Sequence, residues 1–439
     1  MSRFTRLTLV GSQRRAEVVV PSDEGFAAML PQLLDLLDER SDVTPRAVTL
    51  VRVTGDQVDL ALDCAEQDLA DGEVLRVVRA ADAPPPPEVA DVTDATAEEL
   101  AVRPGRWTVR TRQAVAAGFV GVAAAVAGTT LGPAIDSGSV HAAVLAGAAL
   151  LALLVAAPLG RVGRRYAGLV LTAAAVGLAV PIALALAADE VLAGGDAGRI
   201  GLLVAWLALG LGVGLGRRDR GALAGAALGV TLTGLDLLLG LVLPTIRTDA
   251  LLATVGIVAC GLLPWYAMSA SGLTGLDDEV LDGATPQRTR VRVTLDDAYR
   301  ALTWSTVAVA VTVALATIGL LGSGSDLARA LALVVVAVVA LRTRTLPLRW
   351  QVVTLWAAVV VPLAVLLLGG LEGRSPTLAA GLAVAAALVM AVAAGLEPSG
   401  QQRARLRRLG DLVELLGVLA ILPLLLGVFG VYGDLLRTF

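Results

Sequence analysis

Residues 81–112 read ADAPPPPEVADVTDATAEELAVRPGRWTVRTR, and they divide the chain into two kinds of sequence. A proline run at 84–87 is followed by an acidic tract (Asp82, Glu88, Asp91, Asp94, Glu98 and Glu99 lie around it) and then by Arg103, Arg106, Arg110 and Arg112. Consecutive prolines favour a stiff polyproline II spacer, and the acids keep the rest solvated. The tract reads either as a plain spacer or as a docking strip. Arg103, Arg106 and Arg110 around Trp107 have the composition of a membrane interface, with arginine at the headgroups and tryptophan at the boundary. A specific lipid site there is the alternative reading. Before this stretch the chain reads as a small acidic soluble domain; after it, as membrane.

Composition supports that division. Of 439 residues 56% are hydrophobic and only 17% charged, with a mean hydropathy of +0.76. Soluble chains carry about 25% charge, so an integral membrane protein is expected. The apolar runs are long and continuous and rich in Ala, Leu, Val and Gly, which fits close-packed helices rather than a barrel. Residues 1–100 hold 9 Arg against 20 acids and residues 101–439 hold 26 Arg against 19 acids. The acidic N-terminal part argues against nucleic acid as a partner.

Absences narrow the chemistry. The chain has no lysine, one histidine (His141) and two cysteines (Cys64 and Cys260). A phosphate-binding Walker A loop requires lysine, as does Schiff-base catalysis. A zinc site of His and Cys lacks its ligands. No catalytic residue, cofactor or metal is expected, and the two cysteines read as buried thiols. The polar, strand-like N-terminus does not look like a cleavable signal peptide.

Within residues 1–80 the order of elements is ββαββ plus a final strand. Strands are expected at 3–10 and 16–20, then at 47–53, 58–62 and 73–79. A helix capped by Ser22 or Asp23 should run to about Leu37, with Phe26, Met29 or Leu30, Leu33, Leu34 and Leu37 on its apolar face. Pro31 falls inside it, to kink it or delay its start.

A membrane-crossing helix needs about 20 apolar residues. Eleven spans are expected: 114–134, 140–159, 166–188, 199–216, 221–243, 250–270, 302–322, 327–341, 350–370, 377–396 and 410–432. With that count, 21 arginines lie on the side of the linker and five (Arg199, Arg247, Arg329, Arg374, Arg437) on the other. By the positive-inside rule the N-terminal domain is cytoplasmic and the C-terminus outside. The long connection 271–303 is then cytoplasmic. It carries an acidic cluster, a strand-like RTRVRV with Arg290 and Arg292, and a short helix capped by Thr294 with Asp297 three residues on. It reads as a contact surface or as a solvated connector.

Inside the spans Asp236 stands out. On a helix it shares a face with Gly221, Gly225 and Gly229, a GxxxGxxxG run that should pack against protein. No partner charge at its depth is evident, so it reads as a satisfied polar group or as part of a conduction path. Asp411 and Glu414 are expected at the N-terminus of the last span, where negative charge is favourable, and His141 at an interface.

The ββαββ order with a final strand resembles a ubiquitin-like β-grasp domain, and stretches such as RLTLVGSQRRAEVVVPSDEGFAAMLPQLLDLL and DGEVLRVVRA carry a wider resemblance. The chain runs on without a free diglycine tail, which leaves binding rather than conjugation as its role. The whole plan, a ubiquitin-like domain (1–80), a linker (81–112) and an all-α polytopic membrane domain (113–439), is similar to the EccD family of the actinobacterial type VII (ESX) secretion system. The resemblance implies a non-enzymatic inner-membrane component that pairs through its membrane region. It further implies a ubiquitin-like domain that docks the partner ATPase EccC, and a complex that includes EccB and EccE. Besides these partners the chain is expected to meet membrane lipids. The rival reading is a secondary transporter with an N-terminal regulatory domain, for which two helical halves around a long loop would serve.

Overall fold

A computed structural model describes residues 4–11, 14–37, 48–53, 55–79, 108–135, 137–188, 192–281, 287–369, six positions between 377 and 388, and 400–438. Contacts divide the chain into two compact units, Met1–Trp107 and Thr108–Phe439.

The first unit is a five-stranded sheet with one helix. The strands are β1 (Phe4–Val10), β2 (Arg15–Pro21), β3 (Val48–Arg52), β4 (Gln57–Val58) and β5 (Glu73–Arg79), ordered β2-β1-β5-β3-β4. β1 and β2, both expected as strands, form an antiparallel hairpin, Phe4 opposite Pro21 and Val10 opposite Arg15. β1 and β5 run parallel, with Leu7 beside Glu73, a pairing that requires a crossover between them. Helix α1 (Phe26–Leu36) fills that role and buries Phe26, Met29 and Leu33, with Leu37 just beyond it, on Leu7, Leu9, Leu50 and Leu75. This is the β-grasp arrangement.

Two expectations change here for one reason. Neither Ser22 nor Asp23 caps α1: its N-cap is Gly25, with no side-chain cap, and Ser22 Oγ instead meets Thr5 Oγ1 at 2.8 Å. The first-turn amides need acceptors all the same. They find them in the chain after β4, where Ala27 N donates to Leu60 O at 2.7 Å and Phe26 N to Leu62 O at 3.4 Å. Residues 59–62 therefore form a turn that caps the helix instead of extending the strand expected at 58–62. The approach is close: a Cβ on Gly25 would lie 3.0 Å from Ala61 O.

The second unit is helical. In chain order it contains α2 (Val109–Thr130), α3 (Gly138–Arg161), α4 (Arg165–Gly177), α5 (Ala179–Ala188), α6 (Gly194–Leu209), α7 (Arg220–Gly240), α8 (Thr245–Ser271), α9 (Leu273–Leu281), α10 (Arg288–Gly322), α11 (Asp326–Arg342), α12 (Arg349–Gly369), α13 (Gly400–Val428) and α14 (Val431–Thr438). Among the described residues nine helical segments are long and apolar enough to cross a membrane. They are α2 continued to Ala134, α3, α4 with α5, α6 with a π-helical turn at Gly210–Leu215, α7, α8, α10, α12 and α13. The expected count of eleven is not reproduced. The eighth expected span is α11, 17 residues long and charged at Asp326, Arg329 and Arg342, and most of 377–396 lies outside the described residues.

The long connection 271–303 is also corrected. RTRVRV is the first two turns of α10, a 35-residue helix that continues into the span, with Gln287 as its N-cap. Thr294 caps nothing; its Oγ1 donates to Arg290 O at 3.0 Å within the helix. A helix already nucleated by its apolar span propagates backward at little cost. That growth absorbs a six-residue alternation that alone fits a strand.

Small residues set the interhelix registers. A Cβ on Gly256 would overlap Val313, and one on Gly319 would overlap Asp249, so α8 and α10 run antiparallel in close contact. α10 is the central helix, with 61% of its apolar window buried, against 17% for α2 and 11% for α13. On α7 the expected glycine face does pack against protein. Gly221 abuts Arg300 and Ala301, Gly225 abuts Trp304, and Gly229 lies against the Trp206 ring of α6.

Candidate functional site

The same register places a group of charges at one end of the bundle. α6 and α7 are antiparallel. Gly229 faces Trp206, and Gly240, eleven residues further on, lies beside Arg199, seven residues before Trp206. Asp236, between those two glycines, is thereby brought to Arg199. The Arg199 Nε lies 2.9 Å from Asp236 Oδ1, a close ion pair set off the line of a hydrogen bond. Nη1 of the same guanidinium donates to Asp196 Oδ1 at 2.7 Å, three residues earlier on α6. Nη2 lies 3.9 Å from Asp249 Oδ1, at the start of α8. Arg199 and Asp236 are each 14% exposed and Asp249 10%, whereas Asp196 is 44% exposed and forms the rim.

One guanidinium thus joins carboxylates from three helices, and α10 completes the wall. The Cβ that Gly319 lacks would occupy the place of Asp249 Oδ2. Thr233 and Thr248 are buried close by in sequence, and neither hydroxyl has a hydrogen-bond partner among the described residues. Chemically the cluster is an electrostatic clamp. In low dielectric each charge is tolerable because of the others, and removing the cation strands two carboxylates.

This corrects the expectation that Asp236 has no partner charge at its depth. In the sequence Arg199 opens the apolar run of its span and so has the position of a loop arginine, and Asp249 likewise precedes the next run. Helix α6 begins at Gly194 and α8 at Thr245, so both residues lie one to two turns inside their helices. The signal present in the sequence was the pattern of charges near the same ends of three successive spans.

A second group lies where α11, α13 and α8 meet. Arg342 Nε is 3.3 Å from Glu414, and Arg344 Nη2 is 3.6 Å from both Glu414 and Asp411. Arg342 Nη1 also donates to Ile257 O. Asp411 and Glu414 therefore do not sit at a helix N-terminus as expected, because α13 begins at Gly400; they pair across to the end of α11 and the turn after it. His141 is buried rather than interfacial, its Nε2 2.9 Å from Gly128 O, tying α3 to α2.

The other expected interaction residues are scattered. Arg110 is exposed in the first turn of α2, and Arg103, Arg106 and Trp107 lie outside the described residues. Arg290 holds Glu279 of α9 through two hydrogen bonds of 2.7 and 2.8 Å. Asp297 binds Arg300 at 2.5 Å, and Arg300 reaches Asp219 at 3.5 Å. Arg292 is exposed on α10. Among the described residues no group of His, Cys, Asp and Glu is arranged to hold a metal ion.

Comparison with known proteins agrees with this architecture. Residues 4–77 match the family described as WXG100 protein secretion system (Wss), protein YukD. Residues 106–437 match the family described as EccD-like transmembrane domain. Comparison with curated protein sequences returns no match. Among solved structures, protomer 1 of the ESX-3 core complex superposes with a TM-score of 0.59 at 19% identity, covering 98% of this chain and 100% of that one. A chain of the MycP5-free ESX-5 inner membrane complex, State II, gives a TM-score of 0.53 at 22% identity, covering 90% and 99%. At such identities these likenesses establish the fold. The match over most of the length, on a ubiquitin-like domain followed by a multi-pass helical domain, shows that the chain belongs to the EccD family.

Proposed function

We propose that this chain is a non-enzymatic, channel-forming membrane subunit of a type VII secretion complex. The observation that carries the reading is the pairing in one chain of an EccD-like transmembrane domain with a domain matching a secretion-system protein. The two solved structures described above are of an ESX core complex and an ESX inner membrane complex. In this reading the ubiquitin-like domain docks a partner ATPase of the EccC type, and EccB and EccE complete the assembly. A chain without lysine has no Walker A loop, so an energy source on a partner fits its composition. The arginine balance of 21 to 5 supports an eleven-span topology in the inner membrane, with the N-terminus cytoplasmic and the C-terminus outside.

The test is purification from the native host in mild detergent, followed by identification of the chains that co-purify. Stable association with an ATPase and further membrane subunits is the expected result. A lone monomer that takes up a small molecule in reconstituted vesicles would establish the transporter reading instead.

A further inference from the structure

Helix α13 enters its apolar stretch through four arginines, Arg403, Arg405, Arg407 and Arg408, of which Arg405 and Arg408 share a face. Gln401, Ala404, Arg405 and Arg408 line a cleft of about 290 Å³, and their spacing places them along one stripe of the helix. Both guanidiniums are exposed, and among the described residues neither has an acidic partner. The acids of the same helix, Asp411 and Glu414, are taken up by Arg342 at the end of α11 and Arg344 in the turn after it. One turn further along the same stripe Leu412 is more than half exposed, as is Leu409 on its flank.

Two exposed guanidiniums without an acidic partner, on one face where a helix enters hydrocarbon, are placed to meet an anion. Planar guanidinium pairs are best matched by phosphate oxygens. The apolar rim calls for an anion that brings its own hydrocarbon. We propose that this cleft binds the phosphate of an anionic lipid headgroup. Arg405 and Arg408 take the phosphate oxygens, the Gln401 amide donates at the rim, and the acyl chains run over Leu409 and Leu412. In the proposed eleven-span topology, on which this assignment rests, this end of α13 lies on the arginine-rich side, where anionic headgroups are electrostatically favoured.

The test uses the full chain in nanodiscs of phosphatidylcholine, with or without a minor fraction of phosphatidylglycerol. Retained lipids are counted by native mass spectrometry. Wild type is expected to retain phosphatidylglycerol in preference to phosphatidylcholine. Arg405→Gln with Arg408→Gln should weaken that retention about 30-fold, the worth of two arginine–headgroup contacts. A control pair, Arg164→Gln with Arg165→Gln, also exposed, should leave it unchanged. As a second readout, phosphatidylglycerol should raise the melting temperature of wild type but not that of the Arg405/Arg408 variant. Equal losses in both variant pairs would reduce the effect to general surface charge and overturn the proposal. No lipid preference in wild type would do the same. In a separate arm, inorganic phosphate is added to phosphatidylcholine discs. Saturation of the cleft at concentrations matching phosphatidylglycerol would overturn the lipid assignment in favour of a free anion.

Discussion

Arg199 illustrates how much one side chain carries in this protein. It is the cation for two carboxylates that are at least 86% buried on other helices. Its replacement by methionine removes the charge but keeps a similar volume, so the cost is that of unpaired buried charge, about 3–5 kcal/mol. Asp196 touches the same guanidinium from an exposed position, and Asp196→Asn should cost under about 1 kcal/mol. Thermal unfolding of the two variants in nanodiscs should show a large fall in melting temperature for the first and a marginal one for the second. Similar losses for both would mean that Arg199 is solvated and the clamp is weak.

Cys64 offers a titration outside the membrane. Burial in the β-grasp core pushes its thiol pKa up, while a hydrogen bond from Thr5 pulls the other way. The sign follows from linkage. The folded state favours the protonated thiol, so its contribution is fully present below the unfolded value, about 8.5. It is lost as pH rises through the higher folded value. In a Cys260→Ala background the thiol should therefore react with disulfide reagents only slowly near neutral pH. The N-terminal domain should lose stability in mild alkali, and Cys64→Ala should abolish that alkaline dependence. Rapid labelling at neutral pH would show that the thiol is accessible.

Among elements, α7 was the most legible. Its glycines every four residues announced a helix face meant for close contact, and three of them do meet α6 and α10. The structure assigns each its neighbour, which lets their costs be ranked. Gly225→Leu drives a side chain into Trp304 and its backbone, and should destabilise by about 1–3 kcal/mol. At Gly234 nothing lies within 4 Å of the added Cβ, so Gly234→Leu should be near neutral. Retention of folded protein after heating in detergent ranks the two. The less legible elements failed for identifiable reasons. RTRVRV alternates over only six residues, too short a run to settle a period, and its helix is inherited from the span it precedes. Residues 59–62 looked like strand, yet their carbonyls serve as the cap that α1 lacks.

At the scale of the whole chain, the linker between the two units has a consequence of its own in the proposed function. If its stiffness and length set the reach of the ubiquitin-like domain, deletion of residues 84–99 should leave membrane insertion intact and weaken assembly of the complex. Native gel electrophoresis of membranes from cells carrying the deletion measures this. Unchanged assembly would reduce the stretch to a simple tether.

The amino-acid sequence by itself determined the division into a small N-terminal unit and a helical one, the β-grasp order of the first and the polytopic character of the second. All three are written in local composition and short-range periodicity, because each span must bury its backbone in its own hydrogen bonds. It also placed Asp236 on the glycine face of α7. What only the tertiary structure decided is which charge answers which. Arg199 lies 37 residues from Asp236 and 50 from Asp249, and nothing local relates them. They meet because α6 and α7 are antiparallel at a register fixed by Gly229 on Trp206, and because Gly319 leaves room for Asp249. The partner of a buried charge is a property of helix register, and register is set by close packing of small residues across helices.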